Sequence, residues 1–168
     1  MLAGHRVVLR PGQPADLDAL EAIFAAPEVA AWWVGYDRTR IVSEVLHVTD
    51  PDDTVYVIEV GGDVVGIIQC YEEPNPEYRS ASIDIAVGPA WHGTGLALDA
   101  LRTLARHLFD TQGHHRLTID PDAGNGRAIA AYAKLGFQPV GIMRAYWRAP
   151  DGNLQDALLM DMLEHELR

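Results

Sequence analysis

The chain has 168 residues, 48% of them apolar, enough to cover a sheet with helices in a single domain spanning 1–168. Its 24 acidic and 13 basic side chains leave a formal charge of −11, which speaks against nucleic-acid or anionic-membrane partners and for a cationic ligand. A lone cysteine, Cys70, rules out an internal disulfide, and no apolar run approaches the ~18 residues of a membrane span. Residues 1–10 are too short and too charged for the apolar centre of a signal peptide, so a cytoplasmic location is expected.

In chain order, 7–9 reads as a first strand, and 14–24 as a helix with Pro14 in its first turn and Leu17, Leu20 and Phe24 on one face. Pro27 ends it, a short element carries Trp32 and Trp33, and 40–48 has helical spacing through Ile41, Val45 and Val48. The period then changes from helical to alternating. Two β-branched runs, 54–60 and 64–71, flank Gly61-Gly62-Asp63 and predict a hairpin. A proline-rich loop at 72–77 precedes a strand at 81–87. A helix follows from Leu96, with Leu98, Leu101, Leu104, Ala105 and Leu108 as its core face. A strand at 116–119, a helix at 125–135 and two strands at 137–147 and 154–163 complete the chain. Cys70 falls in a strand and reads as a small core residue. His114 and His115 would face opposite sides of their strand, so no metal site is expected.

The most specific stretch runs from Asp84 through Val87 and the turn His92-Gly93-Thr94-Gly95 into the helix at Leu96. Two glycines let successive backbone amides close around an anion, and the helix start directs free N–H groups and its positive dipole end to the same place. A diphosphate suits such a cradle. The ATP-type loop is excluded because Leu96-Ala97 stands where Lys-Ser/Thr would follow the last glycine. The dinucleotide fingerprint is excluded by its missing third glycine and by the turn's position in mid-chain.

The segment His92-Gly93-Thr94-Gly95-Leu96-Ala97 resembles the acetyl-CoA loop of the GNAT N-acetyltransferases, Arg/Gln-x-x-Gly-x-Gly/Ala, with His92 replacing Arg or Gln. A second family motif follows in order, from Asn125 through Tyr132 to Phe137. The resemblance covers essentially the whole chain. It implies an α/β (α+β) fold built on one mixed, mostly antiparallel sheet of about seven strands, with a splayed central strand pair and flanking helices. It further implies acetyl-CoA as co-substrate. The strand carrying Ile85, Ala86 and Val87 would pair with pantetheine, and the amides of His92, Gly93, Thr94, Gly95, Leu96 and Ala97 would hold the diphosphate. The Val87 amide would serve the oxyanion, Asn125 and Ala128 would contact the cofactor, and Tyr132 would donate to its sulfur. Asn125 also reads as an ordinary helix cap, and Tyr132 as a core aromatic.

Three segments, Trp32-Trp33, Ser82-Ile83-Asp84-Ile85 and Thr118 to Asn125, resemble the aminoglycoside 6'-N-acetyltransferases in particular. That likeness implies that Asp84 and Asp120 face an aminosugar. A carboxylate that holds an ammonium also raises its pKa, whereas only the neutral amine attacks, so binding and activation conflict. Either the labour is divided, with Asp84 taking the proton directly or through a water and Asp120 orienting the acceptor, or the proton leaves after attack, when the nitrogen of the tetrahedral intermediate has become more acidic. Glu72, Glu73, Asp151 and Asp156 are candidates for the outer acceptor cleft, or else solvated loop charges. Trp33, Tyr36 and Tyr71 are candidates for stacking on sugar rings, and Trp32 for the core. The expected partner is thus a small cationic amine, an aminoglycoside first. The alternatives are another amine (siderophore precursor, polyamine or protein N-terminus) or a non-catalytic protein that binds acetyl-CoA or the antibiotic. A monomer or homodimer is expected.

Overall fold

The computed structural model describes residues 1–168 and contains one eight-stranded sheet. Its strands are β1 (Leu2–Ala3), β2 (Val8–Arg10), β3 (Asp53–Val60), β4 (Asp63–Glu73), β5 (Ser80–Val87), β6 (Arg116–Ile119), β7 (Gln138–Arg148) and β8 (Leu154–Leu163). They lie in the order β1-β2-β3-β4-β5-β6-β8-β7, antiparallel throughout except for β5 beside β6. The helices are α1 (Leu17–Ala25), α2 (Pro27–Ala30), α3 (Arg38–Ile41), α4 (Leu96–Arg106) and α5 (Gly126–Leu135).

Alternation along the strands decides which helix covers which face. Ile58, Ile68 and Ile83 point into a core of 22 buried residues with Leu101, Leu104 and Leu108 of the α4 segment. Their neighbours Val57 and Ile67 point the other way, into a core of eight with Leu20, Phe24 and Ile41 from α1 and α3. β3 and β4 are therefore apolar on both faces, which explains their unbroken β-branched runs. Cys70 is buried in the larger core, and burial pushes its thiol up to about 12, so it behaves as a small hydrophobe.

The elements follow the sequence pattern with local departures. Residues 14–16 form a 3-10 turn before α1, because Asp16 turns its carboxylate back to the Gln13 amide and to Arg10. The segment expected to be helical at 40–48 starts two residues earlier, where the Asp37 side chain accepts from the Arg40 amide, and it loosens into a π turn at 42–46. Glu72 and Glu73 extend β4 instead of opening a loop, paired with Ala81 and Ser80. The eighth strand is the short β1. Beside it, buried Asp99 of α4 accepts hydrogen bonds from the amides of His5, Arg6 and Val7. No helix is long and apolar enough to cross a membrane, and no group of three or more His, Cys, Asp or Glu is placed to hold a metal ion.

Candidate active site

The centre of the sheet opens. β5 pairs with β6 only at Ala81↔Leu117 and Ser82↔Thr118, then runs on to Val87 bonded to β4 alone. Pro121 follows soon after β6, and a proline cannot donate to a ladder. Gly66 lets the far side of β5 come close: a Cβ there would overlap the Ala86 carbonyl oxygen. The result is a wedge in which the β6-side edge of β5, at Ile85, Ala86 and Val87, has no strand partner and borders a cleft of about 750 Å³.

One end of this cleft suits an anion. Gly93 and Gly95 adopt φ of 77° and 85°, which a side chain would strain. The amides of Gly93, Gly95, Leu96, Ala97 and Leu98 accordingly have no partner within the protein. They gather at the start of α4, where the dipole adds positive potential. Leu98, expected in the core, packs against it half-buried and also lines the cleft, and its neighbour Leu96 is fully buried. Thr94 is occupied locally: its hydroxyl bonds the Trp91 carbonyl and its own carbonyl accepts from Arg6.

His92 has a definite bonding role. Its Nδ1 lies 3.1 Å from an Arg127 guanidinium nitrogen, so it accepts there, and its Nε2 donates to the Val87 carbonyl oxygen at 2.8 Å. The imidazole ties the end of β5 to α5 and fixes the guanidinium at the cleft. Lys134, two turns on from Arg127, lines the same wall. Neither cation has a carboxylate partner, so this end carries net positive charge inside a protein of formal charge −11.

The other end is acidic. Extending the β5–β6 register by two residues brings Asp84 level with Asp120, both at the cleft. Burial raises the pKa of Asp84, the Asp120 charge raises it further, and a long 3.4 Å bond from Gln69 of β4 opposes the shift. Its carboxylate is open to the cleft yet walled by protein on the other sides. Tyr132 of α5 packs edge-on against Phe137, with ring centroids 6.2 Å apart. Burial, then the charges of Asp84 and Asp120, hold its phenol protonated well above neutral pH. A raised carboxylate and a protonated phenol in one cleft are of the types that can serve as base and acid in an acyl transfer from sulfur to nitrogen.

Of the residues singled out from sequence, Asp84, Asp120, Tyr132, Ile85, Ala86, Val87, His92, Gly93, Gly95, Ala97, Asn125, Ala128, Trp33 and Tyr36 line this cleft. Asn125 also caps α5, accepting from the Ala128 amide at 3.2 Å. Tyr36 cannot stack on a ligand ring, because Phe24 lies against one face at 4.6 Å and the Arg40 guanidinium lies 4.2 Å over the other. Tyr71, Glu72, Glu73, Asp151 and Asp156 lie outside the cleft lining. The acids among them have local partners: Glu72 bonds the buried His114 at 2.6 Å, Glu73 the Asn75 amide, Asp151 the turn at Asn153, and Asp156 the Ala145 amide.

Sequence reasoning passed over Glu28, Arg40, Asp122, Arg127, Lys134, Tyr146 and Trp147, all at the cleft. Trp32, an expected core candidate, is 44% exposed and faces Trp147 across 6.3 Å. Tyr146 donates to Asp120 at 2.6 Å and Trp147 to Asp122 at 2.9 Å. The one available signal was the density of aromatic residues at 146–147, which reads equally well as strand.

An anion cradle and a carboxylate–phenol pair meeting over an opened strand pair suit a two-substrate acyl transfer. Comparison with known proteins is consistent with this: residues 6–138 match the acetyltransferase (GNAT) domain family. The chain belongs to the GNAT acetyltransferases, which use acetyl-CoA, and is an N-acetyltransferase. It is 27% identical over 171 aligned residues to the spermidine N(1)-acetyltransferase of Escherichia coli K12, covering 99% of this chain and 90% of that one. It is 25% identical over 163 residues to the aminoglycoside N(6')-acetyltransferase type 1 of Klebsiella pneumoniae, covering 87% and 79%. The fold matches that of the Vibrio cholerae spermidine N-acetyltransferase, solved with CoA and spermine, with a TM-score of 0.81 at 20% identity over 96% of this chain and 97% of the other.

Proposed function

We propose that the protein acetylates a primary amine of a small polycation, with a linear polyamine of the spermidine type as the first acceptor and an aminoglycoside as the second. The observation that carries this is the pair Asp84 and Asp120 in a cleft that Glu28 and Asp122 also line. Several carboxylates around one opening favour an acceptor with more than one ammonium group. The spermidine relative, aligned over 99% of the chain, supports the polyamine. The facing pair Trp32 and Trp147 favours the second reading, because an aromatic wall suits the C–H face of an aminosugar.

Acetyl-CoA supplies the activated thioester carbonyl and a thiolate leaving group. Five free amides at the start of α4, with Arg127 and Lys134, hold its phosphates, and the unpaired edge of β5 aligns its pantetheine arm. Asp120 orients the acceptor. Asp84, whose proton affinity is raised, accepts the proton that the amine nitrogen gives up as the new C–N bond forms. Tyr132 delivers its proton to sulfur as the C–S bond breaks, and is reprotonated from solvent. General acid and base help of this kind is worth on the order of 100- to 10,000-fold each.

The test is release of CoA thiol with acetyl-CoA and a panel of amines, followed by NMR mapping of the product. Turnover is expected with spermidine or spermine, with kanamycin-type aminoglycosides next and singly charged amines well below both. Efficient turnover of an alanine-terminated peptide instead would overturn the polycation reading. Tight amine binding without thiol release would make the protein a sequestering one.

A further inference from the structure

Opposite Asp120 the final hairpin is irregular. β7 and β8 pair at Met143↔Ala157 and again at Trp147↔Gln155, so residues 144–146 bulge against Asp156 alone. Within the bulge Ala145 adopts φ 53°, the only non-glycine residue of the chain at positive φ. An alanine in that conformation persists only where its surroundings over-determine it. Here the Asp156 carboxylate accepts from the Ala145 amide at 2.8 Å. The backbone carbonyl of Asp156 accepts from the Ala123 amide at 2.9 Å, so the same residue also anchors the loop that carries Asp120 and Asp122. Two parallel bonds then join bulge to loop, Tyr146 to Asp120 and Trp147 to Asp122.

We propose that this bulge is a positioning device, in which Asp156 holds Tyr146 so that its hydroxyl occupies one oxygen of Asp120 and tempers that carboxylate toward the acceptor amine. The proposal rests on the amine-acceptor reading above and names how the site meets the conflict between holding an ammonium and releasing its proton. A carboxylate that already accepts a strong hydrogen bond attracts an ammonium proton less, so the bound amine loses it more readily. Oδ2 of Asp120 is taken by Tyr146, and no protein donor bonds Oδ1, which remains for the acceptor. The Asp120 bond is also the first cause that pushes the Tyr146 phenol up to about 12, so the hydroxyl stays a donor across the working range. The other charged or titratable groups facing Asp120 are Asp84 on β5, Tyr132 on α5 and Asp122 on its own loop, with Glu28 and Arg40 entering from the helical side of the cleft. The nearer three are acids that retain an ammonium proton or a phenol that is not ionised. Tyr146 is therefore the group that relieves the pull on the amine.

The experiment compares Tyr146→Phe, Asp156→Ala, Asp156→Asn and the double variant Tyr146→Phe/Asp156→Ala by the pH dependence of kcat, using whichever amine the wild type acetylates. Tyr146 is 53% exposed, so its phenylalanine variant should fold. Loss of the hydroxyl should move the acidic limb of kcat about half a pH unit or more upward. The acceptor KM should be unchanged or lower, and the acetyl-CoA KM constant. Asp156→Ala should do the same and add nothing to Tyr146→Phe, because both act through one bond. Asp156→Asn, whose side-chain oxygen still accepts from the Ala145 amide, should restore the wild-type limb. Without any acceptor, Asp156→Ala should also speed hydrogen exchange of the Ala145 amide. An unmoved limb in Tyr146→Phe, or additive effects in the double variant, would overturn the proposal while leaving the amine-acceptor reading intact. A wild type inert toward every amine would instead overturn that reading, and this proposal with it.

Discussion

At the scale of single residues, the two groups assigned to proton transfer have shifts in the useful direction. The folded-state pKa of Asp84 is raised, so its ionised form is disfavoured and the fold loses stability as pH rises through that value. Asp84→Asn should therefore raise Tm at neutral pH while lowering kcat on the order of 100-fold or more. A kcat/KM within about threefold of wild type would end its role as the base, since general-base help is far larger than that. Tyr132 is raised above its ordinary ~10, so no alkaline limb from this phenol should appear in the neutral range. Tyr132→Phe should reduce kcat by roughly 100-fold with little change in either KM, as steady-state kinetics would show. His92 stands where the resembled loop pattern has Arg or Gln, and its two ring nitrogens bond Val87 and Arg127. It needs one acceptor toward Arg127 and one donor toward Val87, which a carboxamide also offers. His92→Gln should keep the acetyl-CoA KM, and His92→Ala should raise it about tenfold, the worth of one charge-assisted bond.

At the scale of elements, the entry to α1 depends on a buried ion pair. Arg10 of β2 grips both oxygens of Asp16 at 2.8 Å, with side chains only 13% and 7% exposed, and also bonds Glu59 of β3. The Arg10 hydrogen bonds pull the Asp16 carboxyl below its ordinary value. A lowered folded pKa gives stability that is present above ~3.9 and lost as pH falls through the folded value. Arg10→Met would leave a buried charge unpaired and should cost about 3–5 kcal/mol at neutral pH. The gap to wild type should close in acid as Asp16 is neutralised, which urea unfolding at pH 7 and pH 3 would measure.

For the whole molecule, the organising fact is a bipolar cleft in an acidic protein. Asp84, Asp120, Asp122 and Glu28 lie toward one end and Arg127 and Lys134 toward the other. The formal charge of −11 attracts a polycationic acceptor and repels the anionic donor at long range, where salt screens it. Raising ionic strength from about 0.05 to 0.5 M should raise the acceptor KM several-fold and leave the acetyl-CoA KM flat or lower. A parallel rise in both would mean that local contacts, not the overall field, govern acceptor capture.

The element order and the glycine turn were legible in the sequence because each depends on local pattern, whereas Asp84 and Asp120 were singled out through the family resemblance and brought level by the β5–β6 register. Gly93 and Gly95 announce a turn, and alternation from Ala81 to Val87 fixes which side chains share a face. The sequence by itself therefore determined the GNAT class and acetyl-CoA as co-substrate, and named the glycine turn and the two carboxylates as candidates. Only the tertiary structure decided what surrounds them. Arg127 is held at the cleft by a hydrogen bond to His92, 35 residues away. Glu72 is taken up by His114, and Asp156 serves the bulge rather than the cleft. Tyr146 reaches Asp120 through a two-residue excess in strand pairing that neither strand shows alone. Local periodicity is a property of neighbours along the chain, whereas the proton affinities and hydrogen bonds of a site arise between residues that only folding brings together.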